Sequence, residues 1–231
     1  MGATHLPDAK SGPLILVTPT ISEYQAVRPH IAGLKTAGVL ETMMCGIGPE
    51  RASALCRRLD ERQPPPAGLA LVGVAGGLDT TLAAGDVVIA SAAWDEEGRR
   101  APCTVILLTG AAVGPVLTVS RALYTPVEKA AARDSGALAV EMEAYPLAAW
   151  ATERGVPFVH GRVILDPFDE PLPDLGNVID EYGRVRPAGL LRHVFAHPSH
   201  AASLVQLLHR TQAVGPALAR LAQAVVAAHC I

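Results

Sequence analysis

AVEMEAYPLAAWATERGVPFVHGRVILD, residues 139–166, reads as strand, helix, strand. Glu141 and Glu143 fall where the first strand gives way to the helix, and Asp166 falls where the second strand ends. Open α/β folds put their chemistry at strand ends. Carboxylates at both ends of one such unit, with no metal-ligand spacing nearby, suit acid/base and hydroxyl-binding work.

The rest of the chain extends the same alternation. PLILVTPT (13–20) and LALVGVA (69–75) are continuous apolar runs of the kind found in strands covered on both faces. VLETMMC (39–45) and DVVIASAAW (86–94) read as further strands, and two more are expected within 103–120. Helices are expected from Ser22 as N-cap, from Pro49 after the Gly46-Ile47-Gly48 turn, and over 125–136 with Thr125 as cap and Gly136 as stop. Gly76-Gly77 reads as a turn after the third strand, DEEGRR (95–100) as a hairpin tip or loop, and 166–177 as a proline-rich loop. The tail from Pro187 is helical in period, with breaks at Pro198 and Gly215-Pro216. Its stripe of Leu204, Leu207, Leu208, Leu218, Leu221 and Val225 reads as core or subunit interface. This pattern predicts one α/β domain over 13–231, with a mostly parallel sheet flanked by helices, after a flexible tail at 1–12.

The chain has 231 residues, enough for one sizeable core. Half of them are hydrophobic, 18% are charged and the mean hydropathy is +0.29, which suits an oligomer. A net charge of -3 without a basic run gives no nucleic-acid footprint. Cys45, Cys56, Cys103 and Cys230 are scattered and read as reduced thiols of a cytoplasmic protein. His193, His197 and His200 have a spacing that could suggest a metal site. Pro198 interrupts them and no acid or Cys cluster joins them, so no metal site is expected.

Four motifs carry chemistry. GVAGGL (73–78), with GDVVIA (85–90), places small residues after a buried strand, where backbone N–H groups can approach a ligand. It matches neither a dinucleotide fingerprint nor a Walker loop, and a tight turn is the plain alternative. In VEMEA (140–144), a carboxylate at a strand-to-helix junction can accept two hydrogen bonds from a vicinal diol, with Met142 as an apolar contact for a sugar face. The alternative is an acid that merely favours the helix dipole. In RVILDP (162–167), Asp166 ends an apolar strand. Burial there raises a carboxyl pKa toward the range of a general acid, with Asp169 and Glu170 as rivals. Glu23 follows the first strand and by itself is an ordinary helix acid.

Taken in order, Glu23, GIG (46–48), GVAGGL with GDVVIA, VEMEA and RVILD resemble the purine and uridine phosphorylase family, which includes the methylthioadenosine/S-adenosylhomocysteine nucleosidases. The downstream DPFDEPLP and DEYGRVRPAGLLRHVFAHPSH resemble its hopanoid-associated branch, which acts on adenosylhopane. The resemblance implies a mixed, mostly parallel twisted sheet, a homo-oligomer and cleavage of the bond between ribose C1′ and a nucleobase. No cofactor is implied, with phosphate as the conditional co-substrate. By position, Asp166 resembles the acid that protonates a purine nitrogen, and Glu23 the glutamate that orients or activates water. Glu143 resembles the ribose-binding acid, with Met142 on the sugar. Ala75 and Gly76 would lie near sugar and base, Tyr124 would stack on the base, and Ser120 would be nearby. Oxocarbenium-like charge on the sugar and negative charge on the base explain these residue types.

Two departures matter. Leu165 stands where family members commonly carry Ser before the acid. The loops TPTISE and GVAGGLD lack the arginines with which phosphorylases hold phosphate, leaving Arg51 and Arg28 as substitute anion ligands. Water is therefore at least as fitting a nucleophile as phosphate. A phosphorylase of ordinary nucleosides and a nucleoside-binding protein without catalysis are the other readings. A polycyclic lipid substrate would also want an apolar mouth or contact with a membrane surface.

Overall fold

The apolar run near the N-terminus forms β1 (Leu14–Thr18), every residue of it buried. It is the centre of a parallel trio with β2 (Leu40–Met44) and β3 (Gly68–Gly77). The computed structural model describes residues 12–36, 38–174, 176, 178–196 and 200–229. Residues 1–11 of the expected tail lie outside these, while Gly12 donates its N–H to the carbonyl of Pro65.

From β3 the sheet closes on itself. β3 pairs in parallel with β8 (Phe158–Asp166), and β8 pairs antiparallel with β4 (Val87–Asp95). β4 pairs in parallel with β6 (Ala112–Thr118), β6 with β7 (Ala139–Glu141), and β7 returns antiparallel to β3. The short β5 (Arg100–Pro102) completes a hairpin with β4. Five strands thus form a ring, and β1 and β2 extend from it as a wing. The expected mixed, mostly parallel sheet is present, but its closure was not expected from the alternation of elements.

Helices cover both sides. α2 (Pro49–Asp60) and α4 (Ala144–Arg154) bury Leu55, Leu59, Leu147 and Ala151 against one face. α1 (Ile21–Thr36) and α7 (Gly215–His229) bury Val27, Ile31, Leu218, Leu221 and Val225 against the other. α3 (Pro126–Arg133) precedes β7, and α5 (Pro187–Ala196) and α6 (His200–Ala213) precede α7. The apolar stripe of the tail is split accordingly. Its α7 half is core, whereas Leu208 on α6 is exposed.

Several sequence expectations are corrected. Thr20, not Ser22, caps α1: its Oγ1 accepts the N–H of Glu23, and the Glu23 carboxylate accepts the N–H of Thr20. The Glu23 side chain closes that capping box, a role the residue before it could not fill. Gly76-Gly77 is not a turn, because β3 runs through both, with a bulge between Ala75 and Gly76. Only β6 lies wholly within 103–120. The other short strand, β5, lies wholly before that window, because the charged tip at 95–100 folds back as a hairpin. Cys45, Cys56 and Cys103 are free thiols, held protonated by burial, while Cys230 lies outside the described residues.

Candidate active site

The last residues of β3 are where the predicted acids converge. Val74 is the hub. Its N–H donates to Glu23 Oε1 at 2.8 Å, and its carbonyl accepts from Arg162 Nη1 at 3.1 Å. Two residues on, Gly76 is paired with Asp166 across the β3–β8 ladder and with Val140 across β3–β7. A Cβ on Gly76 would sit 3.1 Å from Asp166 Oδ2. The register slips at this point, with Ala75 opposite Ile164 and Gly76 opposite Asp166, so Leu165 is the extra residue on β8 and the bulge falls directly beside the acid.

Arg162 binds the carboxylates to one another. Its Nη2 donates to Glu143 Oε2 at 2.8 Å and to Glu141 Oε2, and its Nη1 lies 4.0 Å from Glu23 Oε1. Glu143 Oε1 accepts the N–H of Gly48, at the N-terminus of α2, at 2.9 Å. Glu141 is committed to structure: it accepts N–H bonds from Glu143 and Ala144 and a hydroxyl bond from Thr118, and so caps α4. Glu23, Glu141, Glu143, Arg162 and Asp166 are all 5% exposed or less.

Glu141 and Glu143 share one guanidinium, and two buried carboxylates so close cannot both ionise easily. Burial raises the Glu143 carboxyl to about 7, with Glu141 adding to the rise and Arg162 and the Gly48 N–H opposing it. Glu141 is also buried, but Arg162 and the other donors outweigh that and hold it below the ordinary glutamate range. Asp166 is lifted to about 6 by burial, against the pull of Lys129. At neutral pH the site therefore contains carboxyls poised to hold or release a proton.

The close approach of Arg162 and Glu23 needs Gly73. A Cβ there would lie 2.2 Å from Arg162 Nη1 and 2.6 Å from Glu23 Oε1. Gly73→Ala is expected to lower stability by about 1–3 kcal/mol through overpacking, read as a fall in the urea midpoint.

The other predicted residues are placed less uniformly. Ala75 is buried in the core beside the bulge. Met142 is half-buried and packs against the small apolar cluster that contains Leu78, Leu117 and Val140. Tyr124 is half-buried, and its carbonyl accepts the N–H of Leu172 from the loop after β8. Ser120 is exposed, with its N–H on Glu96. It lines a cavity of about 460 Å³ together with Tyr145 and Trp150, beside a second of about 550 Å³; the three predicted acids line neither. Arg51 stands 3.4 Å from Glu181 with its side chain half exposed, and Arg28 is exposed on α1. Among the described residues, no three His, Cys, Asp or Glu side chains are grouped to hold a metal; His197 lies outside them. No helix among them is long and apolar enough to cross a membrane.

Sequence reasoning missed Arg162 and Lys129. A signal for Arg162 was present: a charge within FVHGRVILD, at even spacing from Asp166 and so on the same nominal face of the strand. Lys129 had no such signal, since a lysine in TPVEKAAAR reads as a solvated helix residue.

The family model described as the phosphorylase superfamily matches residues 17–107 and 104–188, most of the chain. None of the curated proteins matches it in sequence. Among solved structures, the Campylobacter jejuni 5′-methylthioadenosine/S-adenosyl homocysteine nucleosidase superposes with a TM-score of 0.65 at 14% identity, covering 94% of this chain and 97% of that one. The Neisseria meningitidis 5′-methylthioadenosine/S-adenosylhomocysteine nucleosidase in complex with methylthio-immucillin-A gives 0.61 at 20%, covering 93% and 99%. The Helicobacter pylori futalosine hydrolase gives 0.59 at 15%, covering 87% and 97%. At these identities the likeness is one of fold.

Proposed function

The chain belongs to the phosphorylase superfamily, and from that premise we propose that it cleaves the N-glycosidic bond of a purine nucleoside with water as the nucleophile. The observation that carries this is the gathering of Glu23, Glu143 and Asp166 around Val74–Gly76, with Arg162 between the first two.

Asp166 gives a proton to a ring nitrogen of the base, so the leaving group departs neutral. Glu143, held by Arg162 and Gly48, accepts ribose hydroxyls, with Met142 against the sugar. Glu23 orients the water that attacks C1′. Ala75 and Gly76 border the sugar and base, and Tyr124 and Ser120 belong to the outer part of the site. The reaction needs no cofactor. Water is favoured over phosphate because the GIG turn, a ready anion site, spends the Gly48 N–H on Glu143, while Arg51 faces Glu181. An apolar 5′ substituent of the adenosylhopane kind, and contact of the protein with a membrane surface, extend the reading. They are supported by a tail with no Asp or Glu after Glu181 and by exposed Leu191, Phe195, Val205 and Leu208. Homo-oligomer formation suits the same exposed apolar residues.

The test is incubation with adenosine and with 5′-methylthioadenosine, with and without phosphate, reading free adenine by chromatography. Adenine without phosphate is expected. Adenine only with phosphate overturns water as nucleophile, and binding without adenine release makes the protein a nucleoside-binding module.

A further inference from the structure

Lys129 is a fully buried ammonium that the steps above leave unused. It follows directly on the capping box of Thr125 and Glu128, which fixes the start of α3. Its Nζ lies 2.6 Å from Asp166 Oδ2 and donates to three main-chain carbonyls: Asp166 at 3.2 Å, Pro167 at 2.6 Å and Glu170 at 3.1 Å. An ammonium has three N–H bonds, and three carbonyls can take them all. Oδ2 is thus held as a close ion pair with the ammonium, at 2.6 Å. Leu165, the residue before the acid, packs against the apolar core and offers Asp166 no hydroxyl.

A brace for the turn after β8 would need the carbonyls but no carboxylate. A counter-charge would need the carboxylate but no carbonyls. Lys129 holds both. Resting on the reading of Asp166 as the acid, we infer that Lys129 is the positioning residue of that acid: it fixes Oδ2 and leaves Oδ1 as the oxygen that carries the proton to the base. The proton passes from Oδ1 to the ring nitrogen as the C1′–N bond breaks with its electron pair going to the base. Water adds its oxygen to C1′, and the proton it sheds restores Asp166. Lys129 keeps its own protons throughout and stabilises the carboxylate left between the two transfers.

The other charged groups near Asp166 are Arg210 on α6, which is ion-paired with Glu170, and the exposed Asp169. None of these approaches the carboxylate as an ion-pair partner in the way Lys129 does.

The test is a ¹³C NMR titration of the Asp166 carboxyl, identified by its loss in Asp166→Asn. It is run on the wild type, Lys129→Met, Lys129→Gln and Lys129→Arg, beside the pH profile of adenine release from adenosine. Gln retains N–H donors for the carbonyls without the charge. In the Met and Gln variants the titration is expected to rise by roughly one unit or more. The alkaline fall in kcat should move with it, while Arg stays near the wild type. A folded Lys129→Gln with an unmoved titration overturns the inference. So does loss of folding in both neutral variants while Arg folds, which makes the lysine a brace only. A wild type that releases no adenine overturns the acid reading itself, so the two failures are told apart.

Discussion

Asp166→Asn is expected to lower adenine release by about 10²–10⁴-fold while leaving the protein folded. Asparagine keeps the shape of the side chain and removes its titrating proton, so what is lost is the ability to deliver charge to the departing base. The fold survives because Lys129 retains its three carbonyl acceptors and because the apolar core on both faces of β8 is untouched. Losing the ion pair is expected to cost about 1–3 kcal/mol, which thermal melts would register. The wild type should show the matching pH behaviour. With the Asp166 carboxyl at about 6, the protonated acid is half populated there and falls tenfold with each further pH unit. The rate should therefore decline on the alkaline side, and Asp166→Asn should lose that limb. Asp169→Asn is the control, because Asp169 is exposed and should act as wild type. Near-full activity in Asp166→Asn, with a collapse in Asp169→Asn, would move the acid three residues downstream.

How much of this was legible in the sequence depends on what each residue's neighbours are. Runs such as LILVT and the unit over 139–166 announce themselves because burial and period are local properties. Thr125 and Pro126 mark the start of α3 for the same reason. The ring of five strands was not legible, since β3 meets β7 and β4 meets β8 across long stretches of chain, and pattern does not encode partner choice. At the site, Asp166 could be singled out from its position at a strand end, whereas Glu143 was chosen over Glu141 only through the family resemblance. The task of Glu141 could not be separated from that of Glu143, because both flank one methionine. Only the structure shows that one caps α4 while the other reaches across to Gly48. Glu23 looked like a surface acid and is buried, because its capping box with Thr20 uses one oxygen and frees the other for Val74. Lys129 shows the limit best. A long flexible stem lets a helix residue bury its head far from its own Cα, and no sequence period records where it ends.

Arg162→Met should be the most destabilising single change at the site. Its guanidinium is 1% exposed and answers Glu141 and Glu143 directly, with Glu23 at 4.0 Å. The intact cluster need not be a large net stabiliser, because desolvating the charges offsets most of their attraction. Removing the cation alone is another matter, since it leaves buried carboxylates with no counter-charge. That costs about 3–5 kcal/mol at neutral pH, a fall in melting temperature of roughly 6–20 °C for a chain of this size. The pH dependence identifies the cause. Without Arg162 the folded-state pKa of Glu141 rises above its unfolded value, and that of Glu143, already raised by burial, rises further. The destabilisation is then full above those raised values and shrinks as the pH falls through them and the carboxyls take up protons. In the wild type Glu141 behaves oppositely: its pKa is depressed, so its contribution is present above the unfolded value and is lost as the pH falls through the folded one. Urea denaturation at pH 8 and pH 5 should therefore show a wide gap between wild type and Arg162→Met at the higher pH and a narrow one at the lower. A gap equal at both would mean that the lost packing of the long side chain, not the stranded charges, sets the cost.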